Sequence, residues 1–121
     1  MDIDVLKDKV IDLLDSMKAE DVQTFNVTEM TSVTDYMIVS SGTSNRHVRS
    51  IAARVLEGMR EAGVRPLGSE GEEHGEWVLI DYGDVVLHVM QPETRDFYQL
   101  EKLWSPEVKE MLRLHRESAH D

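Results

Sequence analysis

Histidines and carboxylates are the residues of this chain that could carry acid–base or metal chemistry. No two of the five histidines have the His-x-x-x-His spacing or another short ligand spacing; they are His47, His74, His88, His115 and His120. Asp81 and Asp84 are the only close carboxylates near a rigid element, and they flank a turn, where aspartate is favoured for local reasons. The spacing therefore predicts neither a zinc site nor a catalytic carboxylate pair. Cysteine is absent, which excludes thiol catalysis and disulfides.

The turn Gly42-Thr43-Ser44 is the other segment that could bind a ligand. It joins a β-rich run to a helical pattern, and a helix that begins after a glycine turn can bind a phosphate at its N-terminus. The arrangement is similar to that of nucleotidyltransferases, which need paired acids soon after the turn to hold Mg²⁺. Here the first acid after Ser44 is Glu57, inside the helix. We therefore expect a binding module, with a residual nucleotide-binding enzyme that uses this turn as the alternative.

Composition narrows the class of protein. The chain has 121 residues, 40% of them hydrophobic and 31% charged, as in an ordinary single-domain globular protein. No apolar run reaches the roughly 18 residues of a membrane span, and the N-terminus lacks a signal-peptide pattern, so we expect a cytoplasmic protein. The formal net charge of −11 disfavours a phosphate backbone as partner and favours a basic protein surface, although solubility alone would also explain it.

Residues 76–90 form the segment that should position any binding side chains. Two β-rich runs flank Gly83-Asp84, which predicts a hairpin with Tyr82 opposite Val85. One face of this hairpin is then entirely apolar or aromatic: Val78, Ile80, Tyr82, Val85, Leu87 and Val89. The other face mixes apolar and polar side chains: Trp77, Leu79, Asp81, Val86, His88 and Met90. Such a mixture is typical of a partner-binding surface, and coverage by a further helix is the alternative.

The remaining pattern predicts an alternation of helices and strands. An N-terminal helix carries one apolar stripe: Ile3, Leu6, Val10, Leu13 and Met17. We expect strands at residues 22–27, 35–41 and 64–68, with the second interior, and Pro66 indicates that the third is an edge strand or that the proline lies at a strand start. Between the last two lies a helix with Ser44 as N-cap and Gly63 just beyond its end.

The C-terminal part of the chain has weaker patterns. An acidic loop at residues 69–75 precedes the hairpin. Residues 93–104 read as one helix with Phe97, Leu100 and Leu103 or Trp104 on one side. After Ser105 we expect a weakly helical or disordered tail at residues 106–121, with one short stripe: Val108, Met111, Leu112 and His115. The hairpin histidine, His88, is expected at the surface or at a rim.

Four motifs in order resemble the Iojap family of ribosomal silencing factors: KAEDVQTFNV, TDYMIVSSGTSNRHV, GEWVLIDYGDVVLHVM and FYQLEKLW. The resemblance covers about residues 1–105, which it marks as one domain. It implies an α/β fold in which a mixed sheet of about five strands is flanked by helices. It further implies a nucleotidyltransferase-like architecture without catalytic residues, a protein that is not an enzyme, and no cofactor or metal.

The resemblance also implies a partner and a site. Members bind large-subunit ribosomal protein number fourteen on the intersubunit face and keep the small subunit from joining, which represses translation when nutrients are limited. The implied contact residues in this chain are Trp77, Leu79, Asp81, His88, Met90, Tyr98 and Glu101. Specific nucleic-acid readout and membrane binding are not expected, and the free protein is expected to be a monomer or a homodimer.

Overall fold

Helices and strands alternate along the chain in the computed structural model, which describes residues 1–104, 110, 113 and 114. In order they are α1 (Ile3–Ser16), β1 (Glu20–Asn26), β2 (Tyr36–Ser41), α2 (Asn45–Glu61), β3 (Gly68–Glu70), β4 (Trp77–Asp81), β5 (Val85–Met90), α3 (Pro92–Tyr98) and α4 (Leu100–Leu103). The strands form one sheet of order β1-β2-β5-β4-β3, in which β2 and β5 are parallel and the other pairs antiparallel. The mixed five-stranded α/β fold predicted from the sequence is confirmed.

The β4–β5 hairpin has the predicted register. Val78 pairs with Val89 and Ile80 with Leu87, and the Tyr82 N–H donates to the Val85 carbonyl at 2.9 Å. Gly83 has φ +86°, a conformation that favours glycine. Because the period along a strand is two residues, this register sends all six predicted inward side chains to one face, where they are buried.

Helices α1 and α2 cover that inward face and form the core with it. The buried stripe of α1 includes Leu6, Val10 and Leu13, and α2 contributes Val48, Ile51, Ala52, Val55 and Met59. The ends of α2 also follow the prediction, since Ser44 Oγ accepts from the His47 N–H at 3.1 Å and Gly63 has φ +82° just after the helix. A fully buried aliphatic side chain contributes about 1.5–3 kcal/mol, so this layer supplies most of the stability.

Two predicted elements lie elsewhere than expected. The edge strand is Gly68–Glu70 instead of residues 64–68, because Pro66 has no N–H and pairing with β4 starts only with the Leu67 N–H, which donates to the Asp81 carbonyl at 2.7 Å. The predicted helix at 93–104 is two pieces, α3 and α4, separated by Gln99 with φ +51°. On its predicted apolar side, Phe97 and Leu103 are exposed, whereas Leu100 and Trp104, the alternative to Leu103, are half-buried.

The C-terminal predictions are a separate case. The stripe at Val108, Met111, Leu112 and His115 and the boundary at Ser105 lie outside the described residues, so the tail remains a prediction. Among the helices of the described part, none has the length and apolar character that crossing a membrane requires.

Candidate partner-binding surface

The second face of the sheet carries five of the seven predicted contact residues, and the other two lie on α3 and α4. The strand registers place the following side chains on it: Phe25, Met37, Val39, Ser41, Trp77, Leu79, Asp81, Val86, His88 and Met90. Helices α1 and α2 are on the opposite side. The α3–α4 segment reaches over one end of this second face, where Arg95 contacts Ser41 and Tyr98 contacts Trp77. The rest of the face is partly open.

Burial divides the predicted residues into two groups. Trp77, Leu79 and Asp81 are half-buried and can contact a partner. His88 is 6% exposed and Met90 is 0% exposed, so the expectation that His88 lies at the surface or rim is wrong, whereas contact of these two side chains with a partner stays a prediction. The physical reason is that Trp77 covers the His88 ring, while Met90 ends β5 at the end of the sheet covered by α3–α4.

The buried His88 side chain makes its contacts within the protein. The Trp77 indole N–H donates to His88 Nδ1 at 2.9 Å, and His88 Nε2 lies 3.0 Å from Met37 Sδ. Since the indole nitrogen is only a donor, Nδ1 must accept and the ring proton sits on Nε2. Burial lowers the pKa of His88 to about 4, with a small opposing effect of Glu101. The imidazole is therefore neutral at pH 7 and fixes the orientation of Trp77.

An aromatic cluster extends from Trp77 onto α3. The ring centroids of Trp77 and Tyr98 are 5.0 Å apart, and those of Tyr98 and Phe97 are also 5.0 Å apart with the rings nearly perpendicular. Phe97 is 81% exposed and Tyr98 is 55% exposed. Adjacent large aromatic side chains in such exposure are typical of interaction surfaces, because solvent disfavours them and rigid rings bind at low entropic cost.

The two predicted carboxylates lie in different places. Asp81 is at the far end of β4 from Trp77, and its Oδ1 accepts from the Gly83 N–H at 2.7 Å, which stabilises the hairpin turn. Glu101 pairs with the guanidinium of Arg95. The structure thus brings together Trp77, His88 and Tyr98, with Leu79 beside them on β4, while Asp81 lies apart and Glu101 is engaged within the protein.

Sequence reasoning missed four residues of this surface. Phe25 and Met37 are half-buried on the open face, and the alternation in the strands that carry them was available as a signal. Phe97 was predicted on the apolar side of a helix, although it is exposed. Arg95 is buried, and no local pattern could indicate this because its partners come from residues 21, 41 and 101.

The Gly42-Thr43-Ser44 turn uses its polar groups internally. The Thr43 N–H donates to His47 Nδ1 at 2.9 Å, and Ser44 Oγ caps α2. His47 Nε2 lies 2.8 Å from the Met17 carbonyl, which ties this turn to the end of α1. Within the described ranges, no group of three or more histidine, aspartate or glutamate side chains could hold a metal ion.

These features define a small α/β protein with a mixed five-stranded sheet, closed by helices on one face and partly open on the other. The family model described as ribosomal silencing factor during starvation matches residues 2–121, and the chain belongs to that family. Plant proteins named Iojap match as well, so the resemblance seen in the four motifs is confirmed. Membership supports a silencing role associated with the ribosome.

Individual relatives agree with this assignment. The ribosomal silencing factor RsfS of Chromobacterium violaceum is 45% identical over 104 residues, which are 86% of this chain and 85% of that protein. A mouse protein named mitochondrial assembly of ribosomal large subunit protein 1 is 35% identical over 101 residues, 81% of this chain and 44% of its own. A crystal structure of a C. violaceum protein superposes with a TM-score of 0.84 at 45% identity, covering 86% of this chain and 87% of that one.

Proposed function

We propose that this protein binds large-subunit ribosomal protein number fourteen through the open sheet face and the aromatic cluster, and that it thereby blocks joining of the small subunit. The observation that carries the proposal is the cluster of half-buried Trp77 with exposed Tyr98 and Phe97 beside a half-open apolar face. The relatives' names, which refer to ribosomal silencing and to large-subunit assembly, support a ribosomal partner. The mechanism is steric, because a bound domain on the intersubunit face occupies space that the small subunit needs.

The geometry favours tight binding without chemistry. A standard interface buries about 800 Å² on each partner, and a few central aromatic side chains supply most of its free energy. Trp77 is already held by His88 and Tyr98, so little side-chain entropy is lost when a partner covers it. The net charge of −11 favours a basic ribosomal protein over exposed RNA.

The nucleotide-binding alternative has less support. A phosphate at the Gly42-Thr43-Ser44 turn would compete with His47 for the Thr43 N–H and with the helix cap for Ser44. The acids that a nucleotidyltransferase uses to hold Mg²⁺ have no counterpart near this turn among the described residues. Calorimetry with ATP and Mg²⁺ should therefore give no saturable heat. Nucleotidyl transfer that disappears in Ser44→Ala would overturn the binding-module proposal.

Sedimentation with purified large subunits tests the proposal directly. The wild-type protein should co-sediment with large subunits and slow their joining to small subunits in light scattering. Trp77→Ala should weaken binding by about 30-fold, the equivalent of about 2 kcal/mol for a central anchor. Leu67→Ala is the matched control, since Leu67 is an exposed apolar residue next to β3 and away from the aromatic cluster. Equal binding of Trp77→Ala and Leu67→Ala would refute the assigned surface.

A further inference from the structure

The α3–α4 segment carries part of the proposed surface, and no apolar side chain of α3 or α4 is fully buried, although Leu100 and the neighbouring Trp104 are half-buried. Phe97, Tyr98 and Leu103 are all more than half exposed. Within the described residues, Arg95 is the buried side chain of α3, and α4 has none. A segment of two short helices with exposed apolar side chains needs another source of order, because apolar burial is the usual one.

Arg95 supplies contacts to three other elements. Its Nη1 donates to Ser41 Oγ at the end of β2 at 2.9 Å, its Nη2 lies 3.4 Å from Asp21 Oδ2 in β1, and its Nε pairs with the Glu101 carboxylate of α4. Each nitrogen of the guanidinium thus faces a different element. The contacts to Ser41 and Glu101 are hydrogen bonds, and the contact to Asp21 is an ion pair in which Nη2 has no hydrogen-bond partner. The fixed planar geometry of the guanidinium directs these contacts to three elements at once, which a lysine cannot reproduce.

The backbone is unusual at one acidic partner of Arg95, Asp21, and at Gln99, two residues before the other acidic partner, Glu101. Asp21 has φ +47° and lies where the β1–β2 register shifts between Glu20 and Gln23, so the irregularity turns its carboxylate toward Arg95. Gln99 has φ +51°, and its N–H donates to the Arg95 carbonyl at 2.8 Å. The helix break at Gln99 brings α4 back so that Glu101 reaches the same guanidinium. Left-handed non-glycine residues persist when surrounding contacts hold them.

We propose that Arg95 is a positioning residue which locks α3–α4 onto the sheet, through Ser41, Asp21 and Glu101, in the conformation that places Tyr98 against Trp77. This inference rests on the proposed function of that aromatic cluster. It also assigns Glu101 a different role from direct partner contact, since its carboxylate is committed to Arg95 and only 22% of its side chain is exposed. Affinity then depends on the fraction of molecules in which α3–α4 is locked.

Hydrogen exchange tests the lock without any ribosomal component. Arg95→Met should speed amide exchange of residues 92–104 at least tenfold and leave β4 and β5 protected. Lys102→Met removes the same charge from an exposed position of α4 and is the matched control. Arg95→Lys should fall between wild type and Arg95→Met. Exchange that is unchanged, or that rises equally throughout the sheet, would overturn the positioning role.

Binding to large subunits tests the functional consequence. Arg95→Met should weaken binding on the order of tenfold, as expected if only about a tenth of the molecules remain locked. Glu101→Gln should weaken binding in the wild-type background but add little to Arg95→Met, because both changes release the same lock. Fully additive losses would instead assign Glu101 to direct contact and overturn its role in the lock.

The outcomes separate this inference from the proposed function. If Trp77→Ala weakens binding and Arg95→Met binds as tightly as Lys102→Met, the surface is correct and the positioning role is wrong. If Trp77→Ala binds normally while Arg95→Met still frees residues 92–104, the lock exists but the proposed surface is wrong. Asp21→Asn, which keeps the shape of the side chain, provides a milder variant should Arg95→Met fail to fold, and it should show the same localised exchange.

Discussion

Tyr82 is the one inward-facing residue of the hairpin with a polar side-chain group, its hydroxyl. Its side chain is buried, its hydroxyl has no hydrogen-bond partner within the described residues, and burial raises its pKa to about 12. A buried polar group without a partner loses its hydration without compensation. Removing that oxygen while keeping the ring should therefore cost nothing.

Tyr82→Phe should leave the free energy of unfolding unchanged or raise it by about 1 kcal/mol, as measured in urea. Tyr36→Phe is the control, because the Tyr36 hydroxyl donates to Asp4 at 3.0 Å and its removal loses a bond. A clear loss of stability in Tyr82→Phe would mean that the hydroxyl has a partner, such as a bound water.

His88 makes stability depend on pH in a defined direction. Its pKa in the folded protein is about 4, lowered by burial, whereas an unfolded histidine titrates near 6.5. The unfolded chain therefore binds more protons between these values, and acidification from pH 6.5 to pH 4 should lower the free energy of unfolding by about 3 kcal/mol.

Urea unfolding of wild type and His88→Gln at pH 7 and pH 4.5 measures this contribution. The variant should lose less stability on acidification than the wild type, since the carboxylates common to both proteins contribute equally. The two proteins are compared by how much their free energy of unfolding changes with pH. A loss of stability that the substitution causes equally at both pH values therefore does not affect the result. Parallel slopes would show that His88 is not the titrating group.

The connection between β2 and α2 leaves no room for a side chain at Gly42. A Cβ atom added at Gly42 would lie 2.9 Å from the backbone nitrogen of Val48 and 2.8 Å from its Cγ2, and the first turn of α2 cannot move away without losing its cap. Gly68 begins β3, and a Cβ there meets no atom within 4 Å.

Gly42→Ala should lower the free energy of unfolding by about 1–3 kcal/mol, the usual range for overpacking, whereas Gly68→Ala should be close to neutral. Thermal melts of the two variants beside wild type give the comparison. If both alanine variants melt together, the close approach of Gly42 to α2 is not a structural requirement.

The elements that sequence predicted best are those set by local chemistry. Gly83 fixes the hairpin register, and Ser44 and Gly63 mark the ends of α2, because each acts on its own neighbours in the chain. The position of β3 was predicted less well, since Pro66 shows where pairing cannot occur but not where it begins. The break between α3 and α4 was not predicted, because the residue with positive φ at this position is Gln99 and not a glycine.

The candidate site was predicted only in part, for a reason of tertiary structure. Strand alternation placed Trp77, Leu79 and Asp81 on one face, which the structure leaves partly open, and the family motifs added Tyr98. Alternation cannot show that α3–α4 covers the end of this face, which buries Met90, or that an indole covers His88. The burial of Arg95 depends on contacts with residues 21, 41 and 101, which are brought together only by the fold.

At the scale of the whole molecule, the two sides of the sheet have different roles. The face covered by α1 and α2 contains the continuous core, and the other face combines open apolar side chains with aromatic rings. The formal net charge of the chain is −11. A domain of this charge that binds a basic protein should associate faster than a neutral one, because long-range attraction guides the encounter.

Salt should therefore weaken binding mainly through the association rate. Between 50 and 300 mM NaCl we expect that rate, with the isolated ribosomal protein, to fall on the order of tenfold while dissociation changes little, since screening shortens the range of the attraction. Asp81→Asn should slow association more than Asp12→Asn, because Asp81 borders the proposed surface and Asp12 lies on the exposed side of α1. Stopped-flow fluorescence measures both rates. An association rate that increases with salt would show that the partner surface is acidic, as exposed ribosomal RNA would be, and would contradict binding to a basic ribosomal protein.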